Sequence, residues 1–223
     1  MKLGVALLLV VMAILVNRKL SQLVFSTRVS NTKETIIVID AGHGGVDPGK
    51  VGVNGALEKD INLQIAKRIQ EKLVQKKIKV VMTRERDESE ENKLDDMKKR
   101  VDLINEIKPN IAVSIHQNSY TQGHVKGAQV FYYTDSEKSK SAALIMQEEL
   151  KKIDLENTRE VKANDTFFLL KKTQVPTIIV ECGFLSNEED AKKLIEEEYQ
   201  EILADAICSG IIKWIEEKSG ILE

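Results

Sequence analysis

The sequence predicts an α/β domain: a twisted, mostly parallel sheet with helices on both faces. Three observations carry this. Short β-branched or aliphatic runs alternate with amphipathic helical stretches, the strand runs are near-continuously apolar, and glycine-rich or polar turns separate them. With 223 residues, 42% of them hydrophobic and 30% charged, the chain can bury the core of one domain and is not a disordered polymer.

Met1-Lys2 precede an apolar run from Leu3 to Val16, followed by Asn17-Arg18-Lys19. The run is short for a membrane span, suits the core of a secretory signal and has no polar face for packing as a cytosolic helix. No small-x-small cleavage pattern follows, and the basic residues after the run conflict mildly with the positive-inside rule. Residues 1–20 are therefore expected to act as a signal peptide or an uncleaved membrane anchor. Residues 21–33 are expected to be a polar tether, and residues 34–223 the folded domain. This places the protein outside the cytoplasm, in the cell envelope, either secreted or membrane-associated through that segment.

Thr35-Ile36-Ile37-Val38-Ile39 reads as a buried strand that stops at the loop Asp40-Ala41-Gly42-His43-Gly44-Gly45. Ile61, Ile65, Ile69 and Leu73 recur at helical spacing from Glu58 to Lys76, and Lys79 to Thr83 reads as a strand again. The charge run Glu85 to Lys93 is a solvated loop before an amphipathic helix over Lys93 to Ile107. Ile111 to Ile115 is an apolar strand leading into His116-Gln117-Asn118, and Ala128 to Tyr133 another strand. A helix from Glu137 to Ile153, a buried strand from Thr177 to Val180 delivering Glu181, and a closing helix from Ala191 to Glu217 complete the chain.

A net charge of -2 provides no basic field, which excludes nucleic acid as a partner. Cys182 and Cys208 are too few for a disulfide scaffold, and each lies in an apolar run as a buried thiol would. Gly44 to Lys50 fits part of a phosphate-binding loop, but Val51 replaces the required Ser or Thr and no helix follows directly, which argues against a nucleotide site.

In open α/β sheets the site lies at the carboxyl ends of the strands, and His43, His116 and Glu181 each fall just past such an end. Glu58 opens the first helix of the domain and can reach the same rim. Two imidazoles and two carboxylates then converge, and two His with one carboxylate and an open position form a catalytic zinc set. The other carboxylate is left free. Zinc acidifies water towards neutrality, and a free carboxylate can take the proton and pass it to a leaving amine. That is amide hydrolysis. His124, in a polar stretch, reads as a surface histidine.

From Thr35 to Trp214 the chain resembles the zinc-dependent N-acetylmuramoyl-L-alanine amidases often called amidase 3. Ile39 to Gly45 is similar to the family's first metal motif, Ser114 to Asn118 to the segment with its second histidine, and Val175 to Asn187 to the segment of its catalytic glutamate. The resemblance implies a sheet of about six strands and Zn2+ held by His43, Glu58 and His116. It also implies Glu181 as the acid/base, and a muramyl-peptide substrate in peptidoglycan. Lys171 stands where relatives often carry arginine near the substrate, and Gln117 where alanine is common, so both positions bear on substrate contacts. The architecture, an N-terminal segment and one catalytic domain, is similar to that of the family's sporulation amidases. Membership there implies trimming of spore cortex glycan ahead of muramic δ-lactam formation. Dependence on an envelope accessory protein is a separate expectation that residue spacing does not display. A zinc peptidase acting on stem peptides, or a non-catalytic peptidoglycan-binding module, are the alternatives that use the same residues.

Overall fold

The computed structural model describes residues 34–219. The N-terminal signal or anchor and the tether, residues 1–33, lie outside the described residues. Six strands form one sheet: β1 (Ile36–Ala41), β2 (Lys79–Met82), β3 (Ile111–Asn118), β4 (Gln129–Tyr133), β5 (Lys162–Asn164) and β6 (Thr177–Phe184). Their order is β2-β1-β3-β6-β4-β5, and every pairing is parallel except the antiparallel one between β4 and β6. The helices are α1 (Glu58–Gln75), α2 (Lys93–Ile107), α3 (Glu137–Ile153), α4 (Phe168–Lys172), α5 (Glu188–Leu194) and α6 (Glu197–Ser219).

Strand alternation sorts the apolar residues onto two faces. Ile37 and Ile39 of β1, Ile111, Val113 and Ile115 of β3, and Ile178 and Val180 of β6 join the large cluster beneath α1, α3 and α6. Val38, Ala112 and Ile179, one position out of step, join a smaller cluster beneath α2 and α4. Ile61, Ile65, Ile69 and Leu73, four residues apart, form the buried stripe of α1. Asn92 caps α2 by accepting the Asp95 N–H at 2.9 Å, and Lys108 ends it in the left-handed conformation, φ 51°, just before Pro109.

Three details differ from the sequence expectation. β3 and β6 run on to Asn118 and Phe184, so His116 and Glu181 lie inside their strands rather than past the ends. The closing helix is two helices, broken after Leu194: Gln200, buried in the first turn of α6, donates from Nε2 back to the Leu194 carbonyl at 2.8 Å, satisfying a helix-end acceptor. The three-residue β5 and five-residue α4 are too short to show a period.

Candidate metal centre

The chain moves from β1 outward to β2, then crosses back to place β3 on the other side of β1, so the strand order reverses between β1 and β3. In an open α/β sheet the crevice at such a reversal, at the carboxyl ends of the strands, is where ligands bind. His43 follows β1 there. His116 near the end of β3 sits in register with Glu181 of β6, and both side chains take the same parity as Ala112 and Ile179. Immediately beyond, the register slips, with His116 to Asn118 opposite Glu181 to Phe184, so β6 carries an extra residue.

Glu58 enters from α1. It is the first residue of that helix, 2% exposed, where the helix N-terminus favours a carboxylate. Its Oε1 lies 2.9 Å from His116 Nδ1 and 3.2 Å from His43 Nε2, and it accepts the Gln117 N–H at 3.1 Å. Its Oε2 accepts the Lys50 N–H at 2.8 Å while the Glu58 N–H donates to the Lys50 carbonyl. Burial works against the Glu58 charge, but the hydrogen bonds and charges of His116 and His43 outweigh it and hold the carboxyl well below its usual range. The same pair acts in reverse on His116: burial lowers its pKa, and Glu58, Glu181 and Asp40 more than restore it.

The loop from β1 to α1 is shaped for this approach. His43 adopts φ 60°, a conformation uncommon outside glycine. A Cβ at Gly42 would lie 2.3 Å from the His116 ring, and one at Gly49 would lie 2.5 Å from Glu58 Oε2. Only glycine leaves room at either point. The two imidazoles meet edge to face with centroids 4.9 Å apart.

One donor atom from each of His43, Glu58 and His116 lies within 4.8 Å of the others. The Glu58 oxygen lies 2.9 and 3.2 Å from the two imidazole nitrogens, separations in keeping with tetrahedral ligands roughly 2.0–2.1 Å from a zinc ion, so the donor set fits that metal. Glu181 stands apart from the three. Its Oε2 is buried and has no hydrogen-bond partner among the described residues, and burial, with the Glu58 charge adding to it against the two histidines, pushes its pKa up to about 7.

Two residues that support the site are absent from the sequence reading. Asp47 accepts from His43 Nδ1 at 2.8 Å, which leaves Nε2 facing Glu58; its only signal is a carboxylate four residues on in the same glycine-rich loop. Arg84, 6% exposed, donates to four carbonyls, those of Ala41, Gly42, Lys59 and Arg86. It thereby ties the His43 loop to the start of α1.

A cavity of about 280 Å³ opens beside these groups, lined on its apolar side by Met97, Phe167, Phe168, Leu169 and Ile179. Lys171 is exposed on α4 and does not line it, and Gln117 is buried on the opposite parity from His116. The expectation that Gln117 bears on substrate contacts therefore does not hold, because alternation turns its side chain away from the cavity. His124 lies in an exposed turn outside the cluster, and Cys182 and Cys208 are free, buried thiols.

An open α/β sheet with two histidines and two carboxylates gathered at its switch point defines the class: a domain equipped for hydrolysis. Residues 37–213 match the Amidase_3 family model, N-acetylmuramoyl-L-alanine amidase, and the chain belongs to that family. It is 36% identical over 193 residues to the germination-specific N-acetylmuramoyl-L-alanine amidase of Bacillus subtilis, covering 82% of this chain and 81% of that protein. Among solved structures it matches the CwlD amidase from Clostridioides difficile, determined in complex with the GerS lipoprotein, with a TM-score of 0.79 and 40% identity over 82% of this chain and 98% of that one. The catalytic domain of CwlV from Bacillus (Paenibacillus) polymyxa matches with a TM-score of 0.75 and 32% identity over 82% and 98%. The chain is thus a hydrolase of the amide between N-acetylmuramic acid and L-alanine in peptidoglycan, close to the germination-specific amidases.

Proposed function

We propose that this amidase is zinc-dependent, with His43, Glu58 and His116 as ligands and Glu181 as the acid/base, and that it trims peptide side chains from spore cortex glycan. The observation that carries the catalytic reading is the placement of Glu181: register partner of His116, half-buried at the cavity, with its Oε2 buried and unengaged. A carboxylate costs free energy when desolvated without a partner, and a cation held by the neighbouring triad would supply one.

When bound, zinc supplies the Lewis acidity that polarises the scissile carbonyl and acidifies water. Glu181 Oε2 takes a proton from the attacking water as its oxygen adds to the lactyl carbonyl, and returns a proton to the alanine nitrogen as the C–N bond breaks. The products are a lactyl carboxylate on the glycan and a free amine on L-alanine. A pKa raised to about 7 suits a group that must both accept and donate near neutrality. Asp47 keeps the His43 ring turned with Nε2 toward Glu58 throughout.

The cortex role rests on the likeness to the germination-specific amidase, and an accessory lipoprotein partner on the likeness to the CwlD complex. A membrane-anchored or secreted state rests on the apolar N-terminal run; no described helix is long and apolar enough to cross a membrane.

The test is mass spectrometry of muropeptides and of glycan-free stem peptides after incubation with the purified chain and zinc, beside Glu181→Gln. Stem peptide released with an L-alanine amine, lost in the variant at equal zinc content, is the expected result. An unimpaired Glu181→Gln sinks the acid/base assignment, and cleavage within free stem peptides turns the reading to a peptidase.

A further inference from the structure

Gln117 and Asn62 form a buried polar pair directly behind Glu58. Gln117 is 2% exposed and Asn62 fully buried. Asn62, one turn along α1 from Glu58, directs Nδ2 to the Gly42 carbonyl at 3.0 Å and to Glu58 Oε1 at 3.4 Å. Gln117 Nε2 donates to Asn62 Oδ1 at 3.1 Å.

The direction of this chain is dictated by its ends. A carboxylate and a carbonyl only accept, so the Asn62 amide must face them with its NH2 and present its oxygen to Gln117. Gln117 must then donate, and its own Oε1 is left buried without a hydrogen-bond partner among the described residues. A buried amide oxygen without a partner destabilises the fold, and an apolar side chain of the same size would avoid the cost. The arrangement therefore needs a reason outside folding, and its far end is the Glu58 oxygen that faces both histidines.

We propose that Gln117 is a positioning residue for the metal centre, acting through Asn62 to hold Glu58 Oε1 at the point where the two imidazoles converge. This rests on the metal reading of the triad. Gln117 is buried and does not line the cavity. Its contribution is orientation: without the Nε2 donor, the Asn62 amide can rotate away, and Glu58 keeps at Oε1 only the Gln117 backbone N–H and the histidines themselves. Partners of this kind tune metal affinity about ten- to a hundredfold.

The test measures zinc affinity by chelator competition, and melting temperature with and without zinc, on the full chain. The variants are Gln117→Met, Asn62→Leu and the double variant. Gln117→Met keeps the volume and removes the donor; zinc binding should weaken about tenfold while the metal-free melting temperature changes little, because the unpaired Gln117 Oε1 is exchanged for an unpaired Asn62 Oδ1. Asn62→Leu should weaken zinc at least as much, and the double variant no further, since both interrupt one chain. Unchanged zinc affinity with a lowered metal-free melting temperature means a packing role and overturns the proposal, as does full additivity. If Gln117→Met shows no cooperative transition, Gln117→Ala, which retains the backbone N–H to Glu58, is judged by the same two readouts. Wild-type protein that takes up no zinc overturns the metal reading itself, a result distinct from a variant that binds as tightly as wild type.

Discussion

The two faces of the sheet are built to different standards. Beneath α1, α3 and α6 lies the larger cluster, in which Ile65, Ile69, Leu73, Leu150, Leu203 and Ile211 are fully buried. The other face is covered by α2 and the five-residue α4, with a handful of buried apolar residues, and there the cavity opens beside Asp40, His116 and Glu181. On that face strand positions that would otherwise be apolar carry Asp40, Ser114, His116 and Glu181, in step with Val38, Ala112 and Ile179. The thick face supplies the burial that holds the sheet, and the thin face carries polar groups that a deeper core would not tolerate.

The contrast is sharpest where activity and stability separate. Glu181→Gln on the thin face should lower kcat by about a thousandfold, about 4 kcal/mol of barrier, with the melting temperature unchanged or raised. Paired amidase and thermal-unfolding assays read both, and a fall in both together would make Glu181 a structural residue. Ile65→Ala on the thick face should do the opposite. It empties space around a fully buried side chain and should cost about 3–4 kcal/mol of stability, a melting shift of about 10 °C, with kcat per folded molecule retained. Phe167→Ala sits between them: partly exposed and tilted on Phe131 with centroids 5.4 Å apart, it should cost no more than about 1 kcal/mol in stability. Its kcat/KM should still fall about fivefold, as an apolar wall of the cavity is removed. A melting shift as large as that of Ile65→Ala would erase the distinction between the faces.

Much of this was legible before the structure. His43 stood out because glycines flank it, His116 and Glu181 because polar groups follow apolar strand runs, and the sheet because those runs alternate with helical ones. Glu58 was a candidate by position, but the resemblance was needed to make it a ligand, since an acidic residue at a helix start is common for dipole reasons alone. Asp47 and Arg84 were not legible: an Asp in a turn and an Arg after a strand are ordinary, and the Arg84 partners are backbone carbonyls, which no side-chain pattern displays. Gln117 was noticed for the wrong reason. With His116 facing the site, a period of two turns its neighbour to the other face, so its burial was implicit in the strand itself.

The smallest expected effect tests the thin face through Asp40, which is 1% exposed. Its carboxylate accepts Ser114 Oγ at 2.5 Å and Thr83 Oγ1 at 2.7 Å, and Arg100 Nη1 lies 3.8 Å away. Burial alone would raise its pKa; the Arg100 charge, the Ser114 hydrogen bond, the His116 charge and the Thr83 hydrogen bond outweigh it and hold the group below the usual carboxylate range. A depressed folded-state pKa means the unfolded chain takes up the proton first as the solution is acidified. The stabilisation is therefore complete above the ordinary value, about 3.9, and is lost as the pH falls below it toward the lowered one. Asp40→Asn removes this dependence, so its melting temperature should fall less between pH 5 and pH 3 than that of wild type, even if it starts lower. Equal acid sensitivity in the two proteins would mean that Asp40 is uncharged in the fold, and that the thin face carries one buried charge fewer than its hydrogen bonds imply.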